Sequence, residues 1–249
     1  MTCKINQNKL TLIGRLAGKP EIRNAGEQYE HVSLSVATNK GGYSHYNTIK
    51  VWNTDMQNIV KNLDKGSAIK MVGRINDKKY NDKAGNKKSS VEIYPYEINS
   101  AEAGYSDVND LELFGRLVSK PELKETAKKL KFAKIAIAVA NKKSKSDEGP
   151  ADFFNITVWG NDAVAADNLE KGDWVELKAS LKNSKYTNGN GDIVYTTEIN
   201  ASLFRKKIWE ENNTTQYDAT QSEPDYSYED IDMNIADIAP VSMEDMPFC

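Results

Sequence analysis

Apolar and polar residues alternate with a period of two in short runs along the chain, and the pattern stops near Lys207. Leu10, Leu12 and Leu16 form the first run, broken at Gly14-Arg15, which predicts a strand bent where no Cβ obstructs close backbone approach. Val32, Leu34 and Val36 alternate with His31, Ser33, Ser35 and Ala37, the signature of a strand with one buried face. After Gly41-Gly42-Tyr43 comes a third strand whose two faces differ. Asn47, Ile49 and Val51 share one face, while Tyr46, Thr48, Lys50 and Trp52 share the other, which is aromatic and basic. Asn53-Thr54-Asp55 opens a helix with an apolar stripe at Met56, Ile59, Val60 and Leu63, closed by Lys65-Gly66. Ile69, Met71, Gly73 and Ile75 predict a fourth strand that runs through Arg74 into Lys78-Lys79-Tyr80. A turn over residues 81–86 returns it through Val91 and Ile93.

The chain then writes this pattern again. Leu10 to Ile22 and Leu111 to Leu123 agree at eight of thirteen positions, at a constant offset of 101 residues, which points to one domain fold used twice. Ile135, Ile137 and Val139 repeat the second strand, and Phe153 to Trp159 repeat the third. Lys171-Gly172 and Lys185-Tyr186 match Lys65-Gly66 and Lys79-Tyr80 at an offset of 106. Five strands with one short helix between the third and fourth is the order of the OB-fold, a Greek-key barrel that binds oligonucleotides on one face. The expected architecture is all-β. Two tandem OB-folds occupy residues 1–100 and 110–206, joined by a linker at 101–109 and followed by a disordered acidic tail at 207–249.

Charge sharpens this division. The formal net charge of the 249 residues is -3, yet every one of the 33 Lys and Arg residues lies within 1–207, where the net is +8. The remainder holds eleven acids and no cation. A basic body with an acidic tail suits a polyanion ligand. Cys3 and Cys249 build no disulfide framework, and His31 and His45 are the only imidazoles, so no metal or other cofactor is expected. Gly14 to Pro20 has three residues between its glycines and Pro where a phosphate-binding loop needs Ser or Thr, and no catalytic constellation emerges. The expectation is a non-enzymatic protein. Without an apolar run of membrane-spanning length or a leader-like start, it is expected in the cytoplasm, associated with the nucleoid.

The positive signal is aromatics interleaved with cations. In the first copy these are Tyr46, Trp52 and Tyr80 with Lys50, Arg74, Lys78 and Lys79; in the second, Phe153, Trp159 and Tyr186 with Lys178, Lys182 and Lys185. Bases of a single strand stack on exposed rings while Lys and Arg follow the phosphates.

Leu-x-Gly-Arg-Leu with Lys-Pro-Glu, an aromatic six residues before Trp, Lys-Gly before the fourth strand and Lys-Tyr before a glycine turn together resemble the bacterial single-stranded DNA-binding protein family. The likeness covers about residues 8–100 and 109–205. It implies that Tyr46, Trp52, Tyr80, Phe153, Trp159 and Tyr186 stack bases, with Tyr43 as a further loop aromatic that the second copy lacks. It also implies a homodimer with four OB-folds. Met243 to Cys249 resembles the family's acidic tip, so Glu244, Asp245, Met246, Pro247 and Phe248 are the expected contact for replication and repair proteins, although Cys249 follows the Phe. A tandem OB-fold interaction adaptor with weak nucleic-acid binding and a single-stranded RNA binder are the competing readings.

Overall fold

The computed structural model describes residues 8–24, 30–40, 42–81, 85, 87–140, 151–187 and 193–207. The first repeat contains β1 (Asn8–Leu16), β2 (Glu21–Asn24), β3 (Glu30–Lys40), β4 (Tyr43–Val51), α1 (Thr54–Val60), β5 (Ala68–Asn81) and β6 (Lys87–Ser100). The second repeats the order with β7 (Val108–Leu117), β8 (Leu123–Glu125), β9 (Lys131–Ala140), β10 (Ala151–Trp159), α2 (Gly160–Asp167), β11 (Trp174–Thr187) and β12 (Ile193–Lys206). In each repeat the first long strand pairs with two others, and a parallel pairing between the third and last long strands, Ile49 with Ile93 and Ile156 with Ile199, completes the ring. These are the two expected OB barrels. Each carries one additional short strand, β2 or β8, which the sequence pattern was too brief to announce. Val108 and Asn109, assigned above to the linker, belong to β7.

Barrel closure rests on glycine. β1 pairs with β5 along Leu10–Arg15 but must also meet β3 at Arg15 and Leu16. A Cβ on Gly14 would lie 2.2 Å from the Ala37 carbonyl oxygen, and one on Gly115 would lie 2.4 Å from that of Ala138. No L side chain fits this approach. Where the helix region ends, Gly66 and Gly172 take φ of 89° and 92° and donate their N–H to the Leu16 and Leu117 carbonyls at 2.8 Å, a conformation that glycine adopts without a Cβ penalty.

Each barrel is filled by the alternating residues that the pattern picks out: Leu10, Leu12, Val32, Leu34, Val36, Ile49, Val51, Ile69, Met71 and Ile75 in one, with Leu111, Leu113, Ile135, Ile137, Val139, Ile156 and Val158 among their counterparts. The helix stripe differs from expectation. Ile59 is exposed and Gln57 is buried in its place, because the Gln57 amide donates to the carbonyls of Glu30, Val51 and Trp52 at 3.0–3.2 Å.

Two asparagine clamps, one buried at Asn109 and one half-buried at Asn8, were invisible in the sequence. The Asn109 side chain donates to the Leu181 carbonyl at 2.8 Å and accepts from the Leu181 N–H at 3.0 Å; Asn8 does the same for Ile75 at 2.7 and 3.1 Å. Each amide extends the strand ladder beyond the last backbone pair. The barrels themselves are joined edge to edge, since β1 pairs antiparallel with β7 from Asn8–Leu113 to Ile13–Val108. All twelve strands therefore belong to one sheet.

Gly14→Ala or Gly115→Ala should destabilise the protein by about 1–3 kcal/mol or more, as expected for overpacking against backbone that cannot yield. Gly18→Ala, whose Cβ meets nothing within 4 Å, should leave the melting temperature unchanged. Equal melting of all three variants in a thermal denaturation series would contradict the closure argument.

Candidate nucleic-acid interface

The outward faces of the third long strands carry the predicted aromatics. On β4, alternation turns Ile49 and Val51 into the core and leaves Tyr46, Thr48, Lys50 and Trp52 outside. Tyr43 is 74% exposed at the strand's start, and Tyr80 is exposed on the β5 hairpin. On β10, Phe153 and Trp159 stand outward, with Trp159 at 43% exposure.

Each Trp is braced by a ring from the neighbouring strand, a feature that sequence reasoning missed. Trp52 stacks on His31 with centroids 4.5 Å apart and planes 28° apart; Trp159 tilts against Phe132 at 5.4 Å and 36°. The available signal was positional, because His31 and Phe132 each stand immediately before the alternating run of their strand. The two platforms are not equivalent. The Trp159 indole N–H donates to Asn200 Oδ1 at 3.1 Å, whereas Trp52 is half-buried and its Nε1 is buried with no hydrogen-bond partner among the described residues.

The cations are placed less freely than the sequence suggested. Lys50 Nζ lies 2.7 Å and Lys78 Nζ 3.4 Å from the same Glu92 oxygen, so both belong to an ion-paired cluster. The Tyr94 hydroxyl donates to the other Glu92 oxygen. Burial alone would raise the Glu92 pKa, but the Lys50 hydrogen bond and charge, the Tyr94 hydroxyl and the Lys78 charge hold this carboxylate below its ordinary range. Tyr94 is pushed up by burial and by the Glu92 charge. Burial, with the Lys50, Arg23 and Lys78 charges outweighing that of Glu92, lowers His31 to about 4, so the ring beneath Trp52 is neutral at pH 7.

Lys178 pairs with Glu112 of β7 at 3.8 Å, which puts it on the β7 side of β11, separated by β12 from the strand that bears Trp159. Lys182 is exposed on β11. Lys185 and Tyr186 lie on β11 by backbone pairing with Tyr195 and Val194, and their side chains lie outside the described set. So do Glu244, Asp245, Met246, Pro247, Phe248 and the rest of the tail.

The two faces meet across the seam between the barrels. Lys79 Nζ of the first barrel sits 5.2 Å over the Phe153 ring of the second, and the Tyr46 N–H donates to Asn183 Oδ1 at 2.7 Å. Half-buried Arg74 also acts across the seam, where its charge opposes the burial that raises the Asp152 pKa. Aromatic and cationic groups of both barrels thus come together at the seam, the combination of residue types that suits stacked bases and their phosphates. Among the described residues no three His, Cys, Asp or Glu side chains are grouped to hold a metal, and no helix is long and apolar enough to cross a membrane.

The Single-strand binding protein family model matches residues 7–100 and 108–206. The chain is 30% identical to Single-stranded DNA-binding protein 1 of Streptococcus pyogenes serotype M18 over 49% of its own length and 95% of that protein. It is 23% identical to the single-stranded DNA-binding protein of Thermus thermophilus, over 97% of this chain and 98% of that one. The crystal structure of the wild-type protein from Thermus aquaticus has the same fold, with a TM-score of 0.66 and 22% identity over 84% of this chain and 96% of the other.

Trp159→Ala should weaken oligonucleotide binding by about 1–3 kcal/mol, the worth of one stacked base, with little change in melting temperature. Trp52→Ala should lose affinity and stability together, because the half-buried ring leaves a gap on His31. An unchanged affinity for Trp159→Ala would remove the outward face of β10 from the interface.

The neutral His31 also fixes a pH dependence. Its folded pKa lies below the ordinary 6.5, so the unfolded chain binds the extra proton, and its penalty to folding grows as pH falls from 6.5 towards about 4. The penalty reaches at most about 3 kcal/mol. His31→Phe, the residue type at the matching position 132, should therefore lose less stability than the parent between pH 6.5 and 4 in paired denaturant titrations. Parallel curves would refute the buried neutral ring.

Proposed function

The chain belongs to the single-strand binding protein family, and on that premise we propose that it binds single-stranded DNA without sequence preference, coating and protecting strands exposed in replication, recombination and repair. One observation carries this reading. Both barrels set a ring pair, Trp52 with His31 and Trp159 with Phe132, at the same place on the same outward face. Cations lie beside the first pair and across the seam. Ring faces are accessible in a single strand and hidden in a duplex, and stacking tolerates any base. The names of its relatives support the same ligand.

The protein acts by binding, with no reaction to catalyse. The track across the seam suits a strand that passes from one barrel to the other. We further assign the working unit as a homodimer presenting four OB-folds in the cytoplasm, and the segment Glu244 to Phe248 as the contact for replication and repair proteins. Both assignments rest on the family resemblance of the sequence.

Titration with oligo-dT should quench the fluorescence of Trp52 and Trp159, and log K should fall linearly with log salt, each phosphate neutralised contributing roughly -0.7 to the slope. Oligo-U should bind more weakly if DNA is the ligand. A chain that neither quenches nor responds to salt would be the interaction adaptor instead.

A further inference from the structure

The two barrels differ where their faces should be most alike. Parallel pairing of Ile49 with Ile93 and of Ile156 with Ile199 puts the last strands in register, so Glu92 corresponds to Glu198, Tyr94 to Asn200 and Lys78 to Ser184. Lys50 stands two residues before Trp52, as Thr157 stands before Trp159. In the second barrel Glu198 accepts from the Ser184 hydroxyl at 2.8 Å, and it has no cation partner among the described residues. In the first, Glu92 accepts from the Lys50 ammonium and the Tyr94 phenol and is ion-paired with Lys78 as well. Its side chain is only 11% exposed.

Two ammonium groups and a hydroxyl converging on one oxyanion form the donor set that a phosphate takes. The set lies beside the Trp52 platform, since Lys50 stands two residues before Trp52 and the Lys50, Glu92 and Lys78 charges all act on the His31 ring stacked on Trp52. It is already filled. While Glu92 sits there, the two lysines present a net charge of +1 instead of +2 to an incoming phosphate, and the carboxylate repels it directly.

On the reading that this face takes single-stranded DNA, we propose that Glu92 is an internal occupant of the first barrel's phosphate seat, exchanged for a backbone phosphate when a strand enters. The exchange makes the first barrel load more weakly at its Trp than Lys50 and Lys78 would without the carboxylate. Glu92 thereby tunes affinity without touching a base.

Glu92→Gln keeps the shape and an acceptor for Lys50 and Tyr94 while removing the charge. Full-length Glu92→Gln should bind oligo-dT about fivefold more tightly at low salt, the effect of one unit charge at ~4 Å in bulk water. Its log K against log salt should steepen by about 0.7, one further phosphate neutralised on a single strand. Glu198→Gln should change affinity by less than about twofold. Tyr94→Phe, which removes one donor holding the carboxylate, should tighten binding in the same direction but less, and serves as a second reading if Glu92→Gln melts early. Wild-type affinity and slope in Glu92→Gln, or weaker binding because Glu92 merely holds the lysines in place, would overturn the proposal while the single-strand reading stands. Failure of the wild-type chain to bind oligo-dT would sink both.

Discussion

Everything in this molecule depends on the strand β1 being paired on both sides. Its residues from Leu10 to Ile13 are bonded to β5 on one edge and to β7 on the other, so neither edge is open to close the barrel. Closure must come from the strand's far end, which turns at Gly14 and reaches β3 through Arg15 and Leu16. The same geometry recurs at Gly115, where β7 turns to meet β9. A shared pair of first strands thus demands a glycine at one place in each copy, and that demand is why Gly-Arg-Leu is among the residues that the repeats hold in common.

The pairing also determines where the binding faces go. Antiparallel first strands relate the barrels by an approximate two-fold rotation, which carries the long hairpin of each towards the third strand of the other. Lys79 lies over Phe153, and Asn183 holds the Tyr46 N–H. The segment between the barrels is pinned as well. Asp107 accepts from the N–H and side chain of Asn39 at 2.8 and 2.7 Å, and Arg15 lies 5.6 Å from the Tyr105 ring centroid. A short connection held in this way keeps the two outward faces in one fixed relation, which would spare a ligand that bridges them the cost of ordering the barrels.

Strands with one buried face announce themselves by alternation, and the repeat doubled the weight of each signal; this made both barrels, their core residues and the outward aromatics of β4 and β10 legible before the structure. What stayed hidden was set by partners distant in sequence. A clamping Asn reads as a turn residue until Asn8 and Asn109 are seen against the backbones of Ile75 and Leu181. Gln57 reads as solvated until three carbonyls converge on it, and its burial displaces Ile59 from the stripe that spacing predicts. Cationic character was legible as composition, but the pairing of Lys50 and Lys78 with one carboxylate was not, since Glu92 lies 42 residues from Lys50 and on a different strand. Charge counts describe a surface from afar, and only the fold shows which charges already have partners.

Two barrels written into one chain need not stay alike, and here they have diverged at the positions beside their shared platform. A protein assembled from identical single-barrel chains presents the same face at every site, so any change in one is a change in all. In the tandem chain the first barrel can carry Lys50, Lys78, Glu92 and a neutral His31 while the second carries Thr157, Ser184, Glu198 and Phe132. Stacking energy is available to both, because each keeps its Trp. The electrostatic part differs: the first barrel pairs Lys50 and Lys78 with an internal anion, whereas the second pairs its indole with Asn200 and leaves Trp159 open. On the single-strand reading, affinity for a flexible polyanion would then differ between the two barrels. If a strand displaces Glu92, the carboxylate competes with phosphate for Lys50 and Lys78, so the first barrel would give up that contact at lower salt than the same lysines would without it.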